Sequence, residues 1–169
     1  MNGIGKTCFP DGKIYYDGNY VNGLEEGLGK CFFENGGYYI GHWKNGYMDG
    51  KGIEYYSNGK IRYEGENVRG KLEGYGKLIF ENNEYYIGQW KKGLRNGIGV
   101  DHYSNGNIRC EGDFVNDRLS GYGKYIWENG EYYIGQWKNH KKHGKGTYFD
   151  SNGEIIYKGK WLNDEFIGN

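Results

Sequence analysis

The sequence predicts an all-β fold, an elongated single-layer antiparallel sheet of stacked β-hairpins. Three observations predict it. Glycine supplies 33 of 169 residues while aromatic side chains reach 18% and proline occurs once. The chain lines up with itself at a fixed interval, and each repeat holds two short extended stretches separated by turn residues. A mainly helical fold is excluded, because each interior glycine costs a helix up to about 1 kcal/mol relative to alanine. Nineteen tyrosines argue against general disorder, and there is no Gly-X-Y period.

The interval is 47 residues. Glu34-Asn35-Gly36-Gly37-Tyr38-Tyr39-Ile40-Gly41-His42-Trp43-Lys44 returns, without gaps, at Glu81 to Lys91 and again at Glu128 to Lys138. Each block divides into a 23-residue and a 24-residue unit with one skeleton: Tyr-x-Gly-x-aromatic, a polar turn, then Gly-x-Gly and a short apolar run. Full units span 16–38, 39–62, 63–85, 86–109, 110–132 and 133–156, flanked by partial units at 1–15 and 157–169.

Within the first strand, Tyr39, Gly41 and Trp43 share one face, with Ile40 and His42 on the other. Glycine between two aromatics leaves bare backbone on which a ring from the adjacent hairpin is expected to lie. Lys44-Asn45-Gly46 and Lys91-Lys92-Gly93 supply turns, Gly50-Lys51-Gly52 and Gly97-Ile98-Gly99 are expected to open the return strand, and Ser57-Asn58-Gly59 links one unit to the next. A unit this short cannot bury a core alone, so stability must come from stacking. Six two-strand units at about 4.8 Å per strand give an expected rod roughly 55 to 60 Å long.

The skeleton Tyr-x-Gly-x-Trp-x-x-Gly-x-x-x-Gly-x-Gly, complete at Tyr39, Gly41, Trp43, Gly46, Gly50, Gly52 and at Tyr86, Gly88, Trp90, Gly93, Gly97, Gly99, resembles the MORN (membrane occupation and recognition nexus) repeat family. Departures are Tyr20, Asn67 and Phe114 at the tryptophan position, Cys110 for a leading tyrosine, and Asp117 and His140 for turn glycines. The resemblance implies a non-catalytic protein-interaction and assembly scaffold, cytoskeletal or membrane-associated. The alternatives it leaves are a phospholipid-contacting targeting module, or the repeat segment of a larger enzyme such as a lipid kinase or lysine methyltransferase. It also implies a partner helix or extended segment held by the sheet, and end-to-end homodimers. Both ends fall within a repeat and lack a polar cap, which reads as a segment of a longer array.

Twenty-two basic and twenty-two acidic side chains balance, so no net field draws the chain to nucleic acid, and no nucleic-acid partner is expected. No apolar run resembles a signal or spanning segment, so the expected location is cytoplasmic, cytoskeletal or peripheral to a membrane. An excess of Asn, Lys, Tyr and Ile fits an AT-rich, protozoan coding genome. Cys8, Cys31 and Cys110 read as incidental reduced thiols.

Catalysis needs unlike residues converging in a pocket, whereas here like residues recur along a line, so no catalytic residue, metal or cofactor is assigned. His102 occupies the slot of Tyr55 and Phe149 and reads as packing, and His140 and His143 sit among lysines at a turn. Glu34, Glu81 and Glu128 recur as a structural slot. Gly-x-Gly without a following helix cannot cradle a phosphate. The expected partner-binding groove is an aromatic one, formed by Tyr39, Trp43, Tyr86, Trp90, Tyr133 and Trp137. The expected lipid contact is the basic turn carrying Lys138, Lys141, Lys142 and Lys145.

Overall fold

The computed structural model describes residues 2–11 and 13–168. Met1, Gly12 and Asn169, which belong to the two partial units, lie outside the described residues. Fifteen strands follow one another in an antiparallel sheet whose order is the order of the chain. They are β1 (Gly3–Cys8), β2 (Ile14–Val21), β3 (Leu24–Phe32), β4 (Tyr38–Lys44), β5 (Tyr47–Tyr55), β6 (Ile61–Val68), β7 (Lys71–Ile79), β8 (Tyr85–Lys91), β9 (Leu94–His102), β10 (Ile108–Val115), β11 (Arg118–Ile126), β12 (Tyr132–Lys138), β13 (Lys141–Phe149), β14 (Ile155–Leu162) and β15 (Glu165–Gly168). Two compact units divide them: Met1–Glu81 with Lys91–Gly93, and Asn82–Trp90 with Leu94–Asn169.

Two-residue turns join the hairpins, and both central residues have positive φ, as at Asn22-Gly23, Asn45-Gly46 and Asn116-Asp117. That is the type I′ geometry whose twist matches the strands. Asn accepts positive φ at little cost, and Asp117, His140 and Asp164 adopt it where other units have glycine. The turns also fasten neighbouring hairpins together. Gly46 N–H donates to the Glu25 carbonyl at 3.0 Å and Gly70 N–H to that of Met48 at 2.8 Å. In the second unit His140 N–H reaches the Leu119 carbonyl at 2.8 Å and Asp164 N–H that of Lys142 at 3.0 Å. Side chains reinforce the joint: Glu26 accepts from Asn45 N–H, and Asp49 from Arg69 N–H.

Glycine runs across the strands as a seam. In the first unit the register pairs Gly18 with Gly29, Gly29 with Gly41, Gly41 with Gly52, Gly52 with Gly65 and Gly65 with Gly76. In the second it pairs Gly99 with Gly112, Gly112 with Gly123, Gly123 with Gly135, Gly135 with Gly146 and Gly146 with Gly159. Just beyond the seam β4–β5 carries a bulge, as do β2–β3, β6–β7, β10–β11 and β12–β13: Gly41 faces Gly52, yet Trp43 faces Met48. The return strand therefore begins at Tyr47, and Gly50, expected to open it, lies inside it at φ +106°. There glycine supplies the conformation that the extra residues of the bulge require.

The two faces of the sheet differ. On one, Tyr16, Tyr39, Tyr63, Tyr86 and Tyr133 are fully buried, with Trp43, Trp90, Trp137 and Trp161 nearly so. The ring over Gly41 is not the adjacent hairpin's, as the spacing implied. It is Tyr39 itself, folded along its own strand over both Gly41 and Gly52. The adjacent hairpins meet one level out. Trp43 lies edge-on to Tyr39 and to Tyr16 at centroid separations of 5.7 and 4.9 Å, and its Nε1–H donates to the Gly29 carbonyl at 3.3 Å. Trp137 and Trp161 repeat this on Gly123 and Gly146. Folding each tyrosine flat against glycine removes its ring from water without a second layer.

Cys110, where the tyrosine is missing, is compensated from the facing strand. Leu119 is fully buried and places its Cδ1 against Gly112 and Gly123, the space that a ring fills elsewhere. Asn67, in the slot of Tyr20, Phe114 and Trp161, is 1% exposed.

Candidate partner-binding groove

The six aromatic residues expected to line the groove are core. Tyr39, Tyr86 and Tyr133 are 0% exposed and Trp43, Trp90 and Trp137 at most 6%, so no partner can lie on their faces. A single layer covers them because a glycine pair on facing strands lets each tyrosine lie down on its own strand.

The open groove is on the opposite face. In the first unit it encloses about 680 Å3 along Gly41, Gly52, Gly65 and Gly76. Its walls are the residues flanking the seam with opposite parity: Leu28, Ile40, Ile53 and Tyr75, with Lys51, Lys77, Glu64 and Glu66. Leu28 is 59% exposed, Ile40 44% and Tyr75 63%, more apolar surface than an isolated surface residue requires. The bulges, and the lack of side chains at the seam, leave the groove without a filling layer. Two signals in the sequence mark it. The strand parity that sends Tyr39 inward sends Ile40 and His42 outward. The middle residue of Gly-x-Gly is also large and apolar at Leu28, Tyr75, Ile98 and Tyr122, where neighbouring glycines cannot shield it.

The second unit carries a smaller groove on the same parity, about 300 Å3, lined by Tyr122, Ile134, Thr147, Lys145, Lys158 and Lys160 around Gly135, Gly146 and Gly159. At equivalent positions of successive repeats Tyr38 stacks on Tyr55 at 4.5 Å, Tyr85 on His102 at 4.2 Å, and Tyr132 on Phe149 at 4.5 Å. His102 thus serves as a flat packing residue, as its slot implied.

The four lysines expected to form one basic turn separate. Lys138 and Lys141 are paired across the turn and exposed. Lys145 lies farther along β13 and lines the groove of the second unit. Lys142 faces the ring side, where its ammonium sits 4.4 Å from the Trp161 ring, 4.7 Å from Tyr148 and 5.5 Å from Trp127. Burial draws its pKa below the ordinary lysine value, with Asp164 opposing. Held by three rings, Lys142 is unsuited to meeting a bilayer. Lys142 and Lys145 lie three residues apart on β13, so strand alternation sends them to opposite faces.

The same slot on the ring face is filled by Met48, Arg95 and Lys142 in successive repeats. Arg95 packs over Tyr86 and Phe114 and joins an ion-pair cluster. Arg95 Nη1 and Arg109 Nη2 both donate to Asp101 Oδ2, at 2.9 and 3.0 Å, while Arg109 Nη1 reaches Glu84 at 2.9 Å. Arg62 and Glu54 form the corresponding pair in the first unit. The thiols of Cys31 and Cys110 are pushed up to about 11 and about 12 by burial, which leaves both unreactive. Among the described residues, no three or more His, Cys, Asp or Glu side chains gather as a metal site, and no helix is long and apolar enough to cross a membrane.

A family model of the MORN repeat matches six times, at residues 16–38, 39–61, 63–85, 86–108, 110–132 and 133–155. The chain is also 40% identical over 62 residues to alsin of Rattus norvegicus and to alsin of Homo sapiens. That match takes in 34% of this chain and 4% of each alsin, so the chain corresponds to a small part of those relatives. Six consecutive matches across most of the sequence, on a sheet of glycine-seamed hairpins, place the chain in the MORN repeat family.

Proposed function

We propose that the chain is a non-catalytic protein-binding module and assembly scaffold that takes an extended or helical segment of another protein along the groove of its glycine seam. The observation that carries this reading is the exposed apolar lining of the first unit's groove: Leu28, Ile40 and Tyr75 stand in water on a face with no layer over it. An extended segment would place alternate side chains into the groove, and a helix would lay one apolar stripe there. Exposed aromatic and aliphatic surface of this kind is what interface cores are made of. The lipid-contacting alternative is weakened by the position of Lys142 among three rings.

The test is partner capture by an Ile40→Glu/Tyr75→Ala variant. Both side chains are exposed, so the thermal transition should stay within a few degrees of the parent. Proteins captured by the parent should be lost by this variant and kept by a control reversed at the turn, Lys138→Glu/Lys141→Glu. Capture that survives the groove substitutions and vanishes with the turn substitutions would replace this reading with a surface-charge one.

A further inference from the structure

We propose that the groove of the second unit docks an acidic segment of a partner protein. The inference rests on the groove reading above and specifies the partner's chemistry.

Residues 47 positions apart hold equivalent places, so the repeats act as internal controls for one another. At one such place stand Asp17, Glu64, Glu111 and Lys158, and at the next on that face Asn19, Glu66, Asp113 and Lys160. Two positions on one face that are both acidic in the middle two repeats, and Asp17 and Asn19 in the first, are thus both basic in the last. The groove of the first unit is balanced, with Lys51 and Lys77 against Glu64 and Glu66. That of the second is lined by Lys145, Lys158 and Lys160, and among the described residues no carboxylate lines it.

The register sharpens the point, because Lys145 stands directly opposite Lys160 on the adjacent strand. Like charges in that position oppose strand pairing. All three lysines are exposed, and none forms an ion pair among the described residues. An incoming anion would relieve the repulsion as well as pair with the charges.

The surroundings favour a polypeptide over a flat anionic surface. The lysines flank a recessed floor of Gly135, Gly146 and Gly159, with Tyr122 and Ile134 beside it. A bilayer would meet the rim, whereas an extended strand alternating acidic and apolar residues reaches the floor with every second side chain.

The experiment uses the full chain and a fluorescein-labelled synthetic peptide alternating glutamate with leucine and phenylalanine, followed by fluorescence anisotropy. The expected result is saturable binding that weakens steeply as sodium chloride is raised. Lys158→Glu/Lys160→Glu, which restores the charge of the sister repeats, should weaken it at least about tenfold and shift the preference to a lysine-for-glutamate peptide. Both positions are exposed, and an unchanged melting transition would verify the fold. Unchanged affinity after the double reversal would overturn the proposal. So would absence of peptide binding alongside Lys158- and Lys160-dependent sedimentation with phosphatidylcholine vesicles containing phosphatidylserine. If Ile40→Glu/Tyr75→Ala abolishes partner capture while the lysine reversal leaves the peptide affinity unchanged, this inference fails and the groove reading stands. If capture is indifferent to Ile40 and Tyr75, the groove reading itself falls.

Discussion

The Tyr39 hydroxyl reaches along its own strand and donates to the His42 carbonyl at 3.2 Å, which holds the ring flat over Gly41 and Gly52. Tyr16, Tyr63, Tyr86 and Tyr133 each make the same bond three residues ahead. In each repeat that has the tyrosine, one hydrogen bond therefore fixes the ring, and the ring dictates glycine at two positions on facing strands.

A methyl group at Gly88 should be costly for this reason. A Cβ there would stand 2.5 Å from the Gly99 Cα and would also meet the Tyr86 hydroxyl. The side chain can swing, but the facing backbone cannot move without opening the ladder. Gly88→Ala should lose about 1 to 3 kcal/mol, the usual cost of overpacking. Urea unfolding of parent and variant would measure it, and an unchanged midpoint would show that the seam tolerates side chains.

Asn67 makes the opposite prediction. Its side chain is 1% exposed and lies against Tyr39, yet neither its nitrogen nor its oxygen has a hydrogen-bond partner of good geometry. Equivalent positions hold Tyr20, Phe114 and Trp161. Asn67→Phe should remove the cost of an unsatisfied buried amide, about 1 to 3 kcal/mol, and raise the urea midpoint. A lower midpoint would mean that the slot lacks room for a ring.

The fold was legible in the sequence because its cause is periodic: Tyr39, Gly41 and Trp43 return as Tyr86, Gly88 and Trp90, and turn residues recur between them. The site was less legible because burial of a ring depends on where its side chain folds. Strand parity placed Tyr39 on one face, but the hydrogen bond to His42 that lays it down is a three-dimensional fact. The start of the return strand hid the rest. It begins at Lys141, ahead of the Gly-x-Gly, so Lys142 and Lys145 are strand residues of opposite parity and not members of one turn.

Removing Asp101 should be severe. The carboxylate is 4% exposed and receives Arg95 and Arg109 together. Asp101→Asn leaves two guanidinium groups without their shared anion, and loss of one partner of a buried charge cluster costs about 3 to 5 kcal/mol. Arg95→Met should be milder, since Met48 fills the same slot in the first unit beside Glu54 and Arg62. Thermal melts that rank Arg95→Met as the worse variant would contradict this account.

The ladder tyrosines should give the protein an alkaline limit. Burial pushes the hydroxyls of Tyr16, Tyr39 and Tyr133 up to about 12 from an ordinary value of 10, and that of Tyr63 higher still. Desolvation is the leading cause in each, with the negative charges of Glu54 and other neighbouring groups adding to it at Tyr39 and Tyr63. A folded-state pKa above the unfolded one means that the native chain holds its protons more tightly. The contribution to stability is therefore fully present below about pH 10 and is lost as pH rises toward 12. Several repeats carry the same group and stack on one another, so loss at one ring loosens its neighbours. Absorbance of tyrosinate should accordingly appear in two stages, exposed rings first and ladder rings later, with the second stage coinciding with loss of the far-ultraviolet β signal. Mild denaturant should bring the second stage to lower pH while leaving the first in place. A single titration with an intact β signal beyond pH 12 would show that the ladder hydroxyls ionise without opening the sheet.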